Sequence, residues 1–210
     1  MSRIRPAVLL IPVCVVLLGL AGCESERETP KVGGDTVHEA TPVQDAQAAT
    51  ERELDALSRG RDPSKVEDSK AYDDAVAALI RRGSSIETTL IDRLRRTDDW
   101  SIRMGIIEVL MATGTKTSID HLIFCLDDSE PLVALRANTT LQEMTNHAEI
   151  PASGSAKANG LPPVPKRADS DLALDAELRA WTAWHHEHGQ ALRAAWTVWW
   201  TENRDQITIK

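Results

Sequence analysis

Three histidines and a glutamate stand together at 185–188, near the C-terminus of a 210-residue chain. On a helix, His185 and His188 lie three residues apart on one face, so their imidazoles could bind one metal ion such as Zn²⁺. A His-Glu-x-x-His metalloprotease motif is not formed, because position 190 is Gln. The sequence offers no second ligand cluster at a metal-site spacing. We therefore interpret 185–188 as a polar helix face or turn, with a metal site as the alternative.

Other catalytic motifs are missing from the sequence. It contains no phosphate-binding Gly-rich loop, no Gly-x-Ser-x-Gly nucleophile segment and no Cys-x-x-Cys pair. The paired acids Asp98-Asp99 and Asp127-Asp128 precede predicted helices, where carboxylates cap free backbone N–H groups. The sequence thus predicts a protein that is not an enzyme and that carries no cofactor.

Tryptophan is the second unusual feature, since the chain has six and five of them fall in its last thirty residues. Spacings of three and four residues group the rings on two helix faces, with Trp181 and Trp184 on one and Trp196, Trp199 and Trp200 on the other. We expect two helices separated at Gly189, which cover the end of a helical stack. The alternative is an exposed aromatic platform for a glycan, peptide or lipid.

The charge balance narrows the class of partner. Lys and Arg number 24 against 32 Asp and Glu, for a formal net charge of −8. Because nucleic-acid binding needs a basic face, this balance argues against a DNA or RNA partner.

Three cysteines are too few for a disulfide scaffold, and Cys125 lies in an apolar run that predicts a buried, unreactive thiol.

The N-terminus carries the most specific signal. Arg3 and Arg5 precede an apolar stretch at 7–20, which is shorter than the roughly 20 residues that span a bilayer. The stretch ends in Leu-Ala-Gly-Cys at 20–23, which resembles the lipobox of bacterial lipoproteins at every position. The resemblance implies removal of the signal peptide 1–22, a diacylglycerol on Cys23 and an acyl chain such as palmitate on its new amino group. The alternative is an ordinary signal peptide or a short membrane anchor.

The resemblance to the lipobox implies where in the cell the chain is located and that a tether follows Cys23. A lipidated Cys23 is anchored in a bacterial membrane on its extracytoplasmic side, which is the periplasmic side in a Gram-negative cell. The next residue is Glu24 rather than the Asp associated with inner-membrane retention in enterobacteria, which favours the outer membrane. Residues 23–70 are then expected to form a flexible acidic tether, with a helix near 46–57.

An internal repeat of 31 residues organises the middle of the chain. Residues of matching type recur at this spacing, as in Leu79, Leu110 and Leu141, and in Ala75, Ile106 and Ala137. Such self-similarity predicts stacked helical units. We expect helices at 72–82, 85–96, 100–112, 117–126 and 131–145. Asp98 or Asp99 is the expected N-cap of the third helix, and Ser129 that of the fifth.

The helix pairs resemble HEAT repeats, in particular the short HEAT-like repeats of the phycobilisome-lyase type. Their second-helix pattern, Val-Arg-x-x-Ala-x-x-Ala-Leu-x-x-x-Gly, is followed from Ile102-Arg103 to Gly114. The Arg of this pattern is present only at Arg103, because Tyr72 and Ala134 take its place in the other units. The resemblance implies an α-solenoid that binds proteins along an extended surface. The alternative is a non-repetitive helical bundle.

The sequence therefore predicts an all-α protein. Its parts are a short α-solenoid of HEAT-like helix pairs at 71–146, a Pro/Gly/Ala-rich linker at 147–170 and a Trp-rich helical cap at 171–206. We expect a protein–protein interaction scaffold at the membrane surface, with an unidentified protein partner. Its candidate binding residues are Arg103, Trp181, Trp184, Trp196, Trp199 and Trp200. Alternatives are an envelope ligand-binding lipoprotein that uses these tryptophans, and a metal-binding protein that uses His185 and His188.

Overall fold

A computed structural model describes residues 42–60, 65–147, 161–162, 164–165 and 174–209. The chain forms α1 (Pro42–Ala56), α2 (Val66–Arg82), α3 (Glu87–Arg96), α4 (Trp100–Thr113), α5 (Lys116–Phe124), α6 (Pro131–Thr145) and α7 (Leu174–Asn203). Short 3₁₀ turns follow α1, α2 and α5, at Leu57–Arg59, Gly83–Ile86 and Cys125–Asp127. The all-α class is confirmed, and no strand is present in any of the described ranges.

Local capping explains where α4 begins and ends. The Asp99 carboxylate accepts the backbone N–H of Ser101 at 2.9 Å, which satisfies one of the free donors of the first turn. At the other end, the Gly114 N–H donates to the Leu110 carbonyl at 2.8 Å. Asp99 is one of the two N-caps expected from the sequence, and the helix ends one residue beyond the expected residue 112.

The start of α6 differs from the sequence prediction. Its N-cap is Glu130 rather than Ser129, and the Glu130 carboxylate accepts the backbone N–H of Leu132 at 3.4 Å. The reason is Asp128, whose carboxylate accepts the Glu130 N–H at 2.9 Å and so closes a turn over residues 128–130. The helix can then begin only at Pro131, a residue suited to the first helical position.

The 31-residue interval recurs in the helix ends. α2 ends at Arg82 and α4 at Thr113, and a glycine follows each of them. α4 begins at Trp100 and α6 at Pro131, each directly after an acidic N-cap. These ends of equivalent helices therefore recur at the 31-residue interval, whereas α2 begins three residues earlier and α6 ends one residue later than the interval would place them.

The helices pack in successive pairs. α1 packs on α2, α3 on α4 and α5 on α6. We call α2, α4 and α6 the second helices of these pairs. Because α2 contacts α4 and α4 contacts α6, the second helices form one layer. The three leucines at the 31-residue spacing, Leu79, Leu110 and Leu141, have no exposed surface. α7 packs against α5, α6 and the 3₁₀ turn between them.

The expected tether ends much earlier than residue 70. α1 begins at Pro42, and both Leu54 in its last turn and Leu57 in the 3₁₀ turn that follows it are fully buried. Leu57 lies so close to α4 that a Cβ placed on Gly105 would be 2.8 Å from its Cδ2 atom. α1 is largely polar, and its Glu53 carboxylate also joins it to α2 by accepting two hydrogen bonds from Arg82, at 2.7 and 2.9 Å. Residues 23–41 of the predicted tether lie outside the described residues.

The C-terminal helix is continuous, so the predicted break at Gly189 is wrong. Gly189 lies inside α7 and makes room for the His185 ring, because a Cβ there would be 2.8 Å from His185 Nε2. The predicted linker at 147–170 is described only in part. Within it, Leu161 and Val164 are partly buried against the core, so this stretch is attached to the helices rather than free of them.

Candidate functional site

Arg103 joins two loops of the repeat. Its Nε and Nη2 atoms donate to the two carboxylate oxygens of Asp128, each at 2.8 Å, and its Nη1 donates to the Thr97 carbonyl at 3.2 Å. Thr97 and Asp128 are themselves 31 residues apart, in the loops that precede α4 and α6. Burial alone would lower the pKa of Arg103. The hydrogen bonds to Asp128 and its negative charge have the larger effect, so the pKa of Arg103 is raised above its usual value.

The expected role of Arg103 at a partner surface is therefore restricted by its own contacts. Only 13% of the Arg103 side chain and 10% of the Asp128 side chain are exposed. The Nε and Nη2 donors are used by Asp128, and Nη1 donates to Thr97. Arg103 thus fixes the spacing of α4 and α6, and its part in partner binding stays a prediction.

A row of accessible positions crosses the layer of second helices. It consists of positions 100, 104, 108 and 111 of α4 and of the residues 31 places before and after each of them. We call these twelve positions the repeat face. All twelve belong to the described residues, and none of their side chains is buried. On α4 the spacing of four, four and three residues keeps them on one side of the helix.

The repeat face is mainly apolar. Seven of its twelve residues are apolar: Ala77, Ile80, Trp100, Met104, Met111, Pro131 and Leu135. Trp100 is 44% exposed and Met111 is 36% exposed, which is unusual for large apolar side chains. The two charged residues of the face, Asp73 and Glu108, are both acidic. Sequence analysis did not select Trp100, although its spacing from Met104 and Met111 is the signal that could have identified this stripe.

The C-terminal tryptophans are mostly buried. Trp181, Trp196, Trp199 and Trp200 are between 0% and 6% exposed, and Trp184 is half-buried. The Trp181 indole donates to the Pro131 carbonyl at 2.7 Å, and the Trp196 indole donates to Asn138 Oδ1 at 3.0 Å. An exposed aromatic platform is therefore not seen at these four rings, because they pack against the side of α6. A binding role for them stays a prediction.

The histidine cluster does not gather metal ligands. His185 is buried, and its Nε2 atom lies 2.9 Å from the Leu126 carbonyl, so only Nδ1 could bind a metal while this hydrogen bond is kept. His188 lies 3.7 Å from Glu187 on the outer part of α7. In the part of the chain that the structure describes, no three His, Cys, Asp or Glu residues lie close enough to share a metal ion.

Two reactive groups are held inside the helical core. Cys125 is 5% exposed, as the sequence predicts, and burial raises the pKa of its thiol to about 12. Glu87, at the start of α3, accepts the Thr115 backbone N–H at 2.8 Å and the Ser118 hydroxyl. Burial alone would raise the pKa of Glu87, but these hydrogen bonds lower it below its usual value. Glu87 thus joins the start of α3 to the start of α5, where Thr115 is the N-cap residue.

A polar groove of about 560 Å³ lies between α1 and α3. Its charged residues neutralise one another, because Arg93 lies 2.6 Å from Asp55 and 3.6 Å from Glu51, and Arg96 lies 3.3 Å from Asp92. The arginines in the last turn of α3 are therefore largely engaged within the chain. This pairing leaves no charge pattern in the groove that points to a particular ligand.

The chain is similar to no protein that would assign this surface a role. No protein-family model, curated protein or solved structure matches it. Cys23 and the apolar N-terminal stretch lie outside the described residues. Among the helices that are described, none combines the length and the apolar character needed to cross a membrane.

Proposed function

We propose that this chain is a lipid-anchored extracytoplasmic lipoprotein that binds a protein partner along a short solenoid of HEAT-like helix pairs. One observation carries the proposal, namely the recurrence of the helix ends and of the packing contacts at 31 residues. Glu87 and Ser118 are hydrogen-bonded to each other across this interval. Stacked repeats produce contacts between equivalent positions, because each repeat packs only on its neighbours.

We infer that α7 is the cap of this solenoid. The last pair of a helical stack leaves an apolar side open, which a terminal element must cover. α7 supplies buried tryptophans to that side, and Trp196 satisfies the buried amide of Asn138. At its C-terminal end, Lys116 of α5 donates to the Arg204 carbonyl at 2.7 Å, which places a cation where helix carbonyls are free.

A scaffold accounts for the accessible surface better than an enzyme does. The buried thiol of Cys125 and the hydrogen-bonded carboxylate of Glu87 serve packing and capping. The exposed apolar side chains instead lie in a row across successive helices, the arrangement that repeat proteins use to bind extended partners. The roughly 20 residues between Cys23 and α1 would span about 25 Å as a coil, which holds such a surface off the bilayer.

The test uses cells that express the full-length chain or its Cys23→Ser variant, with Cys14→Ser as the matched control. The cells receive an alkyne analogue of palmitate and are then crosslinked before affinity purification. We expect label and specific partner proteins with the wild-type and Cys14→Ser chains, and neither with Cys23→Ser. Equal labelling of the Cys23→Ser chain would contradict the anchor. Recovery of no specific protein with the anchored forms would contradict the scaffold.

A further inference from the structure

We propose that Met111 and Met104 on the repeat face are oxidised reversibly to methionine sulfoxide, and that this modification weakens partner binding. The oxidation site follows from the exposure of the sulfur-containing side chains and from their places on the helices. The weakening of partner binding is a regulation of the repeat face and rests on the scaffold function proposed above.

The sulfur-containing side chains of the described residues differ in exposure. Met111 is 36% exposed and Met104 is half-buried, whereas Cys125 and Met144 are only 5% and 3% exposed. Met144 is also tightly enclosed, because a Cβ placed on Gly114 would be 3.0 Å from its Cε atom. Burial raises the pKa of the Cys125 thiol to about 12, so reactive thiolate is scarce at neutral pH. Among these four side chains, an oxidant in solution therefore reaches the two methionines of the repeat face first.

The reaction at Met111 requires hydrogen peroxide as its oxidant. The thioether sulfur attacks one peroxide oxygen, an S–O bond forms, the O–O bond breaks and water leaves. Sulfur loses two electrons and hydrogen peroxide gains them, which converts an apolar side chain into a polar sulfoxide. A methionine sulfoxide reductase reverses the change with two thiols, which are oxidised to a disulfide while the sulfoxide oxygen leaves as water.

The places of these methionines on α4 let oxidation change the surface without unfolding the core. Met104 and Met111 are seven residues apart, so they lie on the same side of α4 at a separation of about 10 Å. Trp100 precedes Met104 by four residues and lies on that side too. Ile106 and Val109 are fully buried on the opposite side of α4, and their packing involves neither sulfur atom.

Oxidation would make this part of the repeat face unsuitable for burial. The thioether of methionine adapts to varied apolar partners, whereas its sulfoxide carries a strongly polar oxygen. A polar group that is buried without a hydrogen-bond partner opposes association, and one such group lowers affinity about tenfold. Sulfoxides at Met104 and Met111 would therefore weaken any partner that covers the apolar stripe of α4.

Peptide mapping tests the oxidation site. The full-length chain, purified in detergent, is treated with dilute hydrogen peroxide, and mass spectrometry follows the sulfoxide content at each methionine. In buffer, we expect Met111 to react at least about tenfold faster than Met144, with Met104 between them. In guanidinium chloride the three rates should be similar, because burial no longer protects Met144. Equal rates at Met111 and Met144 in buffer would overturn the site.

Reversibility is measured on the same oxidised sample. Methionine sulfoxide reductases specific for the two sulfoxide epimers, supplied with a dithiol, should return Met111 to methionine. Sulfoxide that persists at Met111 while a free methionine sulfoxide control is reduced would overturn the reversible part of the proposal.

Partner recovery tests the regulation. Cells that express the full-length chain are exposed to hydrogen peroxide, treated with catalase, crosslinked and used for affinity purification, and each chain is compared with its own untreated sample. Peroxide should lower the recovery of specific partners about tenfold for wild type and for the Met144→Leu control. A chain carrying Met104→Leu and Met111→Leu should lose much less, because it has no sulfur on the repeat face.

The outcomes separate the regulation from the scaffold. An equal loss from wild type and from the double leucine variant, or no loss from either, overturns the regulation but leaves the scaffold. Recovery of no specific partner from untreated cells overturns the scaffold and its regulation together. The oxidation rates of the purified chain decide the modification site in either case.

Discussion

The guanidinium of Arg103 and the carboxylate of Asp128 form two parallel hydrogen bonds of 2.8 Å that join the loops before α4 and α6. This bidentate geometry is the strongest that an arginine and a carboxylate can form. A third bond from Arg103 reaches Thr97, at the position of the preceding repeat that corresponds to Asp128. One side chain therefore ties the loop before α4 to the loop before α6.

Removing the charge of Asp128 should destabilise the fold. With Asp128→Asn, Arg103 stays buried without its counter-charge, and we expect the free energy of unfolding to fall by about 3 kcal/mol. The matched control is Asp92→Asn, which removes the partner of Arg96 in a pair whose side chains are 75% and 51% exposed. That change should cost no more than about 0.5 kcal/mol. Urea unfolding followed by circular dichroism measures both, and equal losses would contradict the structural role of Arg103.

Glu87 should make the stability of the protein depend on acidic pH. Because hydrogen bonds from Ser118 and Thr115 lower the pKa of Glu87 in the folded state, its contribution is fully present above the pKa of an unfolded-state Glu, about 4.3. The contribution is lost as the pH falls through that value and towards the lowered folded-state pKa.

The difference in unfolding free energy between wild type and Glu87→Gln should therefore shrink as the pH is lowered from 7 towards 3. Urea midpoints measured across this range test the expectation. Glu202→Gln, at an exposed site on α7, is the control and should follow the wild-type profile throughout. A difference between wild type and Glu87→Gln that is constant with pH would show that Glu87 acts through packing alone.

The second helices were predictable from sequence because their pattern is strong and their ends carry local signals. Asp99 and Gly114 mark the ends of α4 by capping chemistry, which depends on a few neighbouring residues. α1 was missed as part of the core because it is largely polar, and its attachment through Leu54, Leu57 and Glu53 depends on surfaces of α2 and α4 that lie far along the chain. Gly189 was read as a break because glycine weakens isolated helices, whereas here the close packing of His185 requires it.

In the candidate site too, features set by neighbouring residues could be predicted, whereas features set by contacts between distant parts of the chain could not. Arg103 was selected for its place in a sequence pattern, and its pairing with Asp128 was not visible because the two are 25 residues apart. Trp100 was overlooked because a single tryptophan on an apolar helix resembles a core residue. Its exposure depends on how α2 and α6 are placed beside α4, which only the assembled layer determines.

Cys125 should be unreactive in the folded protein. Burial raises the pKa of its thiol to about 12, so the reactive thiolate is scarce at pH 8, and the side chain is shielded from reagents. A chain carrying Cys14→Ser and Cys23→Ser leaves Cys125 as its single thiol. Ellman's reagent should label this chain in seconds to minutes in guanidinium chloride and at least 100-fold more slowly in buffer, as expected of a buried thiol. Rapid labelling in buffer would show that the segment around α5 opens readily.

Acrylamide quenching distinguishes the buried tryptophans of α7 from the exposed Trp100. Trp100 is 44% exposed, whereas Trp181, Trp196, Trp199 and Trp200 are at most 6% exposed. Trp100→Phe should therefore remove most of the quenchable native fluorescence. Trp196→Phe is the control and should leave the quenchable fraction intact, although it lowers stability because Asn138 loses its buried partner. Strong quenching that persists in the Trp100→Phe protein would place C-terminal rings in contact with solvent, and would favour a ligand-binding platform over a cap.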